Sequence, residues 1–364
     1  MKVTVARKEI ADALKNVLKA VAVKSQTPIL SGIYLKAENS TLELQATNNS
    51  VGIISKVPAV VEEDGEIVIL GKKLFEIVQK LSGDTLTITA DDKDAEIKSA
   101  GTKYNLLVFK AEDFPKIKQE ENLQRFKLLQ SKLKRLIKQT AYAAADDKDT
   151  SRTIFTGVLF NVEGEKLTLA ATNTHRLAVV SATLDNPFGD KKVIVPAKIL
   201  QEISAMIDDS GMVEFAFTEK NAIFVFDNLF VTTRLISGDF PNFDNLLNLE
   251  HNIFVKVNPE EFLQALERVS VIAKETDYEM VALLFNGDGL KISSTSAEVG
   301  TAEEFVSAEV TGGELDIAFN YNYLTDVLKV IDAEKIKIGM SGTLKPIDFQ
   351  LDNFRYIVTP VRRN

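Results

Sequence analysis

Apolar positions along this chain alternate between two periods, one helical and one strand-like, and the alternation comes round three times. Ile10, Leu14, Val17, Leu18 and Val21 recur mostly at spacings of three and four, which puts them on one face of a helix, with Lys8, Lys15 and Lys19 on another. The pattern returns at Leu133, Leu136 and Ile137, where Lys132, Lys134, Arg135 and Lys138 crowd the outward positions, and again at Phe262, Ala265, Leu266 and Val269. The third helix opens on Asn258-Pro259-Glu260-Glu261, an N-cap with proline at the first helical position. Paired strand-like runs follow each helix: 33–36 and 42–46 about Glu38-Asn39, 157–162 and 166–171 about Glu163-Gly164, 282–285 and 290–293 about Asn286-Gly287-Asp288-Gly289. A second helix completes each unit, over 72–81, 197–207 and 321–331, and the residues before them, Gly71, Pro196 and Asn320, are 125 and 124 apart.

A polar corner sits between apolar runs in each repeat. Residues 169–180 read Leu-Ala-Ala-Thr-Asn-Thr-His-Arg-Leu-Ala-Val-Val, 44–53 read Leu-Gln-Ala-Thr-Asn-Asn-Ser-Val-Gly-Ile, and a fainter copy spans 292–300. The threonines at 47, 172 and 295 are 125 and 123 apart, a period that belongs to a domain and not to a solenoid repeat. Strands 104–109 and 230–235 lead to Glu112-Asp113-Phe114-Pro115 and Gly238-Asp239-Phe240-Pro241, and 354–361 takes the same place in the third unit. Polar connections at 116–124 and 242–250 set the expected domains at 1–122, 123–247 and 248–364. Each holds strands plus two helices, an α+β architecture of three tandem repeats.

Length leaves room for about two or three domains, and the repeat selects three. The absence of cysteine removes disulfides, thiolate metal sites and cysteine nucleophiles, and two histidines, His175 and His251, are too few for a histidine-built metal centre. No metal or cofactor is expected. No apolar run approaches a membrane span and Met1-Lys2-Val3-Thr4-Val5 is not a signal segment, so a cytoplasmic protein without a membrane partner is expected.

The net charge of −9 argues, taken whole, against nucleic acid. What binds phosphate is the local field, however. The helical stretches 7–20, 72–80, 127–138, 196–208, 259–274 and 321–329 carry 16 basic and 9 acidic residues, a balance of +7 that leaves −16 elsewhere. Antiparallel units can pair edge to edge, and head-to-tail association of two chains would close the terminal edges into a ring. With its helices inward, such a ring has a basic lining that attracts the phosphate backbone without reading sequence. Glu267, standing where Lys15 and Lys138 stand, weakens the lining in the third repeat.

Over its full length the chain resembles the bacterial DNA polymerase III beta subunit, the processivity sliding clamp. The residues that carry the resemblance are Ala171-Thr172-Asn173-Thr174-His175-Arg176-Leu177-Ala178, Asp147-Lys148-Asp149-Thr150-Ser151-Arg152 before Gly157-Val158-Leu159-Phe160, Thr27-Pro28-Ile29-Leu30, Phe319-Asn320-Tyr321-Asn322-Tyr323-Leu324 and Pro360-Val361-Arg362. The resemblance implies a non-catalytic, head-to-tail homodimeric ring of six similar domains around double-stranded DNA. A clamp loader opens it, and the replicative polymerase and repair proteins dock by short peptides in a pocket between the second and third domains. Carried over, the pocket comprises Phe155, Thr172, Thr174, His175, Arg176, Leu177, Pro241 and Leu246, with Asn320, Tyr323, Leu344, Pro346, Ile357, Thr359, Pro360, Val361 and Arg362. Apolar walls with a few polar groups suit a peptide anchor. The family's DNA contacts map to Lys24, Lys73 and Lys198, and the charge pattern adds Lys72, Lys134 and Lys138.

Two departures stand out. Thr174 occupies a place where the family usually has glycine, which bears on a corner needing positive φ. The tail Thr359-Pro360-Val361-Arg362-Arg363-Asn364 replaces a methionine-flanked proline, removing adaptable side chains from the rim. They leave open a divergent or mobile-element clamp, and a tandem-domain adaptor without DNA is the rival of another class. A catalytic His175 with Asp146, Asp147 or Asp149 lacks a nucleophile motif. Arg176 has a plainer reading, as partner to a carboxylate or carbonyl, and Tyr323 another, as packing on its helix.

Overall fold

The computed structural model describes residues 1–23, 26–120, 123–148 and 151–362, with the side chains of 185–188 and 277 left aside. Lys24, Asp149, Thr150, Arg363, Asn364 and the expected boundary at 122 lie outside the described residues. Among the described residues seven α-helices form: α1 Arg7–Val17, α2 Gly71–Lys80, α3 Gln130–Thr140, α4 Ala197–Met206, α5 Asp244–Leu247, α6 Pro259–Ala273 and α7 Tyr321–Leu328. Six are the expected two per repeat, and α5 is a single extra turn. At the start of α6, Asn258 Oδ1 accepts from the Glu260 and Glu261 backbone N–H groups at 2.9 and 3.1 Å, and those glutamates complement the helix dipole. The expected start of the third helix at 127 moves to Gln130. Phe126–Leu129 is a strand paired with residues 212–215, and the Gln130 side chain ends it by accepting from the Asp208 N–H at 2.9 Å.

The chain folds into two compact units, residues 1–133 with 205–235, and 134–204 with 236–364. In the first, one antiparallel sheet of twelve strands runs in the order Lys2–Ala6, Thr85–Ala90, Asp94–Ser99, Thr102–Phe109, Gly65–Leu70, Gly32–Glu38, Thr41–Thr47, Val51–Glu63, Leu229–Arg234, Asn221–Phe226, Met212–Phe217 and Phe126–Leu129. Lys2–Ala6 also pairs with Val51–Glu63, so the first eight strands close on themselves. Ile10, Leu14 and Val17 of α1 and Leu74 and Val78 of α2 are buried, each contributing about 1.5–3 kcal/mol on transfer from water. The second unit has a seven-stranded sheet, Gly157–Thr172, Arg176–Pro196, Phe354–Val358, Ile347–Gln350, Ile336–Met340, Ile253–Val257 and Ala308–Thr311. Its four-stranded sheet runs Gly300–Val306, Gly289–Ser296, Met280–Asn286 and Leu315–Asn320, with α6 and α7 packed together.

Consecutive repeats do pair edge to edge. Residues 51–55 pair with 229–233 in the first unit, and 176–180 pair with 354–358 in the second, the same joint 125 residues on. Beside each joint lies the polar corner, built by the same bonds. Thr47 Oγ1 donates to Val51 O at 2.8 Å and accepts from the Asn49 N–H at 3.1 Å; Thr172 Oγ1 donates to Arg176 O at 2.6 Å and accepts from the Thr174 N–H at 3.1 Å. Asn48 and Asn173 each accept from the N–H groups two and three residues on. In the third copy the equivalent residue is Ser296, not Thr295: Ser296 is buried and accepts from the Glu298 N–H, whereas Thr295 is exposed. The steps are therefore 125 and 124, in agreement with the helix starts.

Both joints are covered by apolar side chains, Ile117 and Leu123 among them at the first and Phe243 and Leu247 among them at the second. At the first, a Cβ on Gly52 would lie 2.9 Å from Ile117 Cδ1 and 3.0 Å from Thr232 Cγ2, so Ile117 fills the space above the glycine. At the second, 125 residues on, these strand positions are Leu177 and Ile357, paired directly across the joint.

Candidate functional site

The second unit's corner holds Thr174 at φ 77°. Left-handed backbone is costly for a β-branched residue, and the Thr172 and Asn173 side chains impose it by capturing the N–H groups that follow. Thr174→Gly is therefore expected to stabilise the protein by about 1 kcal/mol, read as a raised urea midpoint at unchanged m value. An unchanged midpoint would mean the corner carries no strain.

Arg176 leaves the corner inward. Its side chain is only 9% exposed and donates to Asp326 Oδ2 at 2.6 Å and to the Tyr142 carbonyl. The guanidinium carbon lies 4.7 Å from the centroid of the Tyr323 ring and 5.4 Å from that of Tyr142, within cation–π range. Burial pulls its pKa down, and Tyr356 and the Asp326 carboxylate outweigh that, so the pKa stands above the ordinary value. Its Nε and the Tyr142 hydroxyl are buried without partners, and burial pushes the Tyr142 pKa well up. Arg176 thus acts as a strut between α7 and the segment after α3, the plainer of its two readings.

The apolar floor is Leu177, Ile357, Leu159, Ala170, Val179, Ile194 and Phe240, with Ile154, Ile236, Phe243 and Leu247 packed against it. Pro241 follows Phe240, and Leu246 stays exposed on α5. Phe155 is half-buried in the turn Thr153–Thr156, where its carbonyl accepts from Ala145 at 2.8 Å. On the other rim the His175 and Tyr323 rings lie nearly parallel, 17° apart with centroids at 6.4 Å, and the Tyr356 hydroxyl donates to Tyr323 O at 2.8 Å. Asn320 caps α7 and donates to Tyr278 O at 2.9 Å, holding out a tyrosine that is 73% exposed at φ 63°.

The chain end crosses the site. Thr359 donates through both its N–H and its hydroxyl to His175 O, at 2.9 and 3.0 Å, and the Val361 N–H donates to Ala318 O at 2.8 Å, so Pro360 bridges the two. Arg362 is exposed. Leu344 and Pro346 stand on the turn before Ile347–Gln350; Ile347 pairs with Val358, which pairs with Arg176, and only that register links the turn to the corner.

Direct bonds, strand pairing or packing thus gather Thr172, Thr174, His175, Arg176, Leu177, Tyr323, Ile357, Thr359, Pro360 and Val361. Sequence reasoning missed Phe240, Phe243, Leu247 and Ile154, although the segment Gly238-Asp239-Phe240-Pro241 had marked the place. Tyr142, Tyr278 and Asp326 gave no local signal.

Of the candidate phosphate-binding residues, Lys72, Lys73, Lys138 and Lys198 are exposed and Lys134 half-buried. Lys73 Nζ lies 2.7 Å from Glu76 Oε2 and Lys198 Nζ 2.6 Å from Asp147 Oδ2. The Lys198–Asp147 hydrogen bond holds the carboxyl below its usual range and the ammonium above its own. A cavity of about 320 Å³ adjoins this pair, lined by Ala141, Tyr142, Ala144, Thr156 and Ala197 among others. Among the described residues no carboxylate bonds the His175 ring and no group of three or more His, Cys, Asp or Glu is placed to hold a metal. Among the described residues no helix is long and apolar enough to cross a membrane.

Comparison with known proteins gives the same picture along the whole chain. Family profiles of the DNA polymerase III beta subunit match in order: N-terminal domain over 1–118, central domain over 127–242 and C-terminal domain over 245–362. The beta sliding clamp of Bacillus subtilis (strain 168) is 32% identical over 378 residues, covering all of both chains. That of Staphylococcus epidermidis is 28% identical over 376 residues, covering 100% of this chain and 99% of the relative. Among solved structures, the DNA polymerase sliding clamp from Bacillus subtilis superposes with a TM-score of 0.95 at 30% identity, and the Pseudomonas aeruginosa sliding clamp bound to griselimycin with 0.93 at 29%, each covering both chains in full. The profiles, the full-length relatives and the fold agree: the chain belongs to the DNA polymerase III beta subunit family, the non-catalytic sliding clamps.

Proposed function

We propose that two copies of this chain join head to tail into a ring around duplex DNA, and that partners of the replication machinery dock by short peptides in the pocket at the second unit's corner. In this reading the domains are 1–122, 123–247 and 248–364, the ring works in the cytoplasm where the chromosome lies, a loader opens it, and the replicative polymerase and repair proteins share its pocket. The observation that carries the reading is the second unit's corner itself: the polar turn from Thr172 to Arg176 set beside an apolar cluster of Leu177, Ile357 and Phe240, with the chain end bonded to it through Thr359. A floor of that kind takes apolar anchors, while the polar corner and the exposed Tyr278 and Leu344 offer orientation and rim contacts.

Lys24, Lys72, Lys73, Lys134, Lys138 and Lys198 supply the phosphate contacts in this reading. The test is retention on closed circular DNA compared with linear DNA, because a ring slips off free ends. Replacing Lys24, Lys73 and Lys198 together with alanine is expected to weaken association with short duplex DNA and to flatten its salt dependence, by about 0.9 in log–log slope for each phosphate no longer neutralised, with the oligomer unchanged. Undiminished affinity in that variant would remove these residues from the DNA face. Equal retention on circular and linear DNA would favour an adaptor.

A further inference from the structure

We infer that Glu76 and Asp147 are built-in counterions, carboxylates that compete with DNA phosphate for Lys73 and Lys198 and so keep the grip loose enough to slide. This rests on the clamp reading above. The two lysines are 125 residues apart and occupy the same position of their repeats, the opening turn of the second helix. Each is paired with a carboxylate, but the carboxylate comes from a different place. Glu76 lies one turn along α2 itself, whereas Asp147 reaches α4 from the loop that follows α3 and its short extension. A pairing reached by two routes is not a by-product of the duplicated helix. At the matching place in the third repeat, Asn322 donates to the Glu279 carboxylate, the same arrangement with the cation removed.

All four charged partners are exposed, and an exposed ion pair of this kind is weak. A phosphate can therefore displace the carboxylate at the cost of about five-fold in affinity or less. Without the carboxylates each lysine would meet the backbone as a free cation and each contact would last longer. With them, the ammonium passes between two anions, one of which travels with the protein.

The experiment measures binding of the full chain to a short fluorescent duplex by anisotropy, from low to physiological salt. Asp147→Asn is expected to tighten binding by about two- to five-fold, and Glu76→Gln likewise. The gain from Asp147→Asn should vanish in the Lys198→Ala background. Asp92→Asn, at an exposed position between Thr85–Ala90 and Asp94–Ser99, changes the net charge equally and should leave affinity unaltered. Wild-type binding that Asp147→Asn does not tighten would overturn the inference and leave the clamp reading standing. So would a gain that persists without Lys198, or one that Asp92→Asn reproduces, since either would trace to net charge. A wild-type protein that binds no duplex at any salt would overturn the clamp reading first, and the inference with it.

Discussion

Arg176→Ala is expected to lower the unfolding free energy by about 3 kcal/mol, measured by urea denaturation, and to weaken any peptide bound at the corner. The side chain reaches two elements at once: α7, through Asp326 and the Tyr323 ring that faces His175, and the segment after α3, through the Tyr142 carbonyl. Truncation leaves the carbonyl and the carboxylate without their donor. Asp326 is partly exposed and can recover water, which keeps the estimate at the low end for breaking a buried pair. Lysine cannot fork to two acceptors while lying flat on a ring, so Arg176→Lys should fall between wild type and alanine. A loss below about 1 kcal/mol for the alanine variant would place Arg176 among ordinary surface pairs and end its role as a strut.

The second large effect is on assembly. Leu107 is 83% exposed on Thr102–Phe109, a strand that pairs with Asp94–Ser99 on one side and, on the other, only through Val108 and Phe109. Among the described residues, no strand pairs with the rest of that edge. Gly300–Val306 is likewise the outermost strand of its sheet, and there Phe305 is 56% exposed. Unpaired edges bearing large apolar side chains are the surfaces two copies would join, and a charge set into either should prevent it. Leu107→Asp and Phe305→Asp are each expected to reduce the light-scattering mass from twice 40.2 kDa to 40.2 kDa. Mixing the two variants discriminates further. In a head-to-tail arrangement the intact Phe305 edge of one meets the intact Leu107 edge of the other, and a two-chain species returns. Were like edges to meet like, only one of the two variants would dissociate on its own.

The periodic parts of this architecture were legible in the chain. Helical spacing found six helices because each buries one apolar face, and Gly71, Pro196 and Asn320 fixed the repeat because a helix start is a local chemical event. Edge-to-edge pairing followed from the cost of leaving strands open. What stayed hidden was set at long range. Phe126–Leu129 reads as the first turn of a lysine-rich helix until its partner strand at 212–215 is known. The partners of Arg176 lie 34 and 150 residues away, and no spacing announces them. The third corner was misplaced by one residue because threonine at 295 copies the letters, whereas burial and bonding at Ser296 copy the structure. At the site, polar corner and apolar strand were both visible, but not the floor of Phe240, Phe243 and Leu247 that joins them.

Ile117 over Gly52 has a consequence for the order in which the chain can settle. Ile117 belongs to the segment that leaves the first repeat, yet it packs on Ile54, Ile223 and Phe230, which stand on both sides of the joint. It can find that seat only once residues 51–55 and 229–233 have paired. A segment that directly follows the first repeat in sequence therefore waits for strands of the second before it comes to rest.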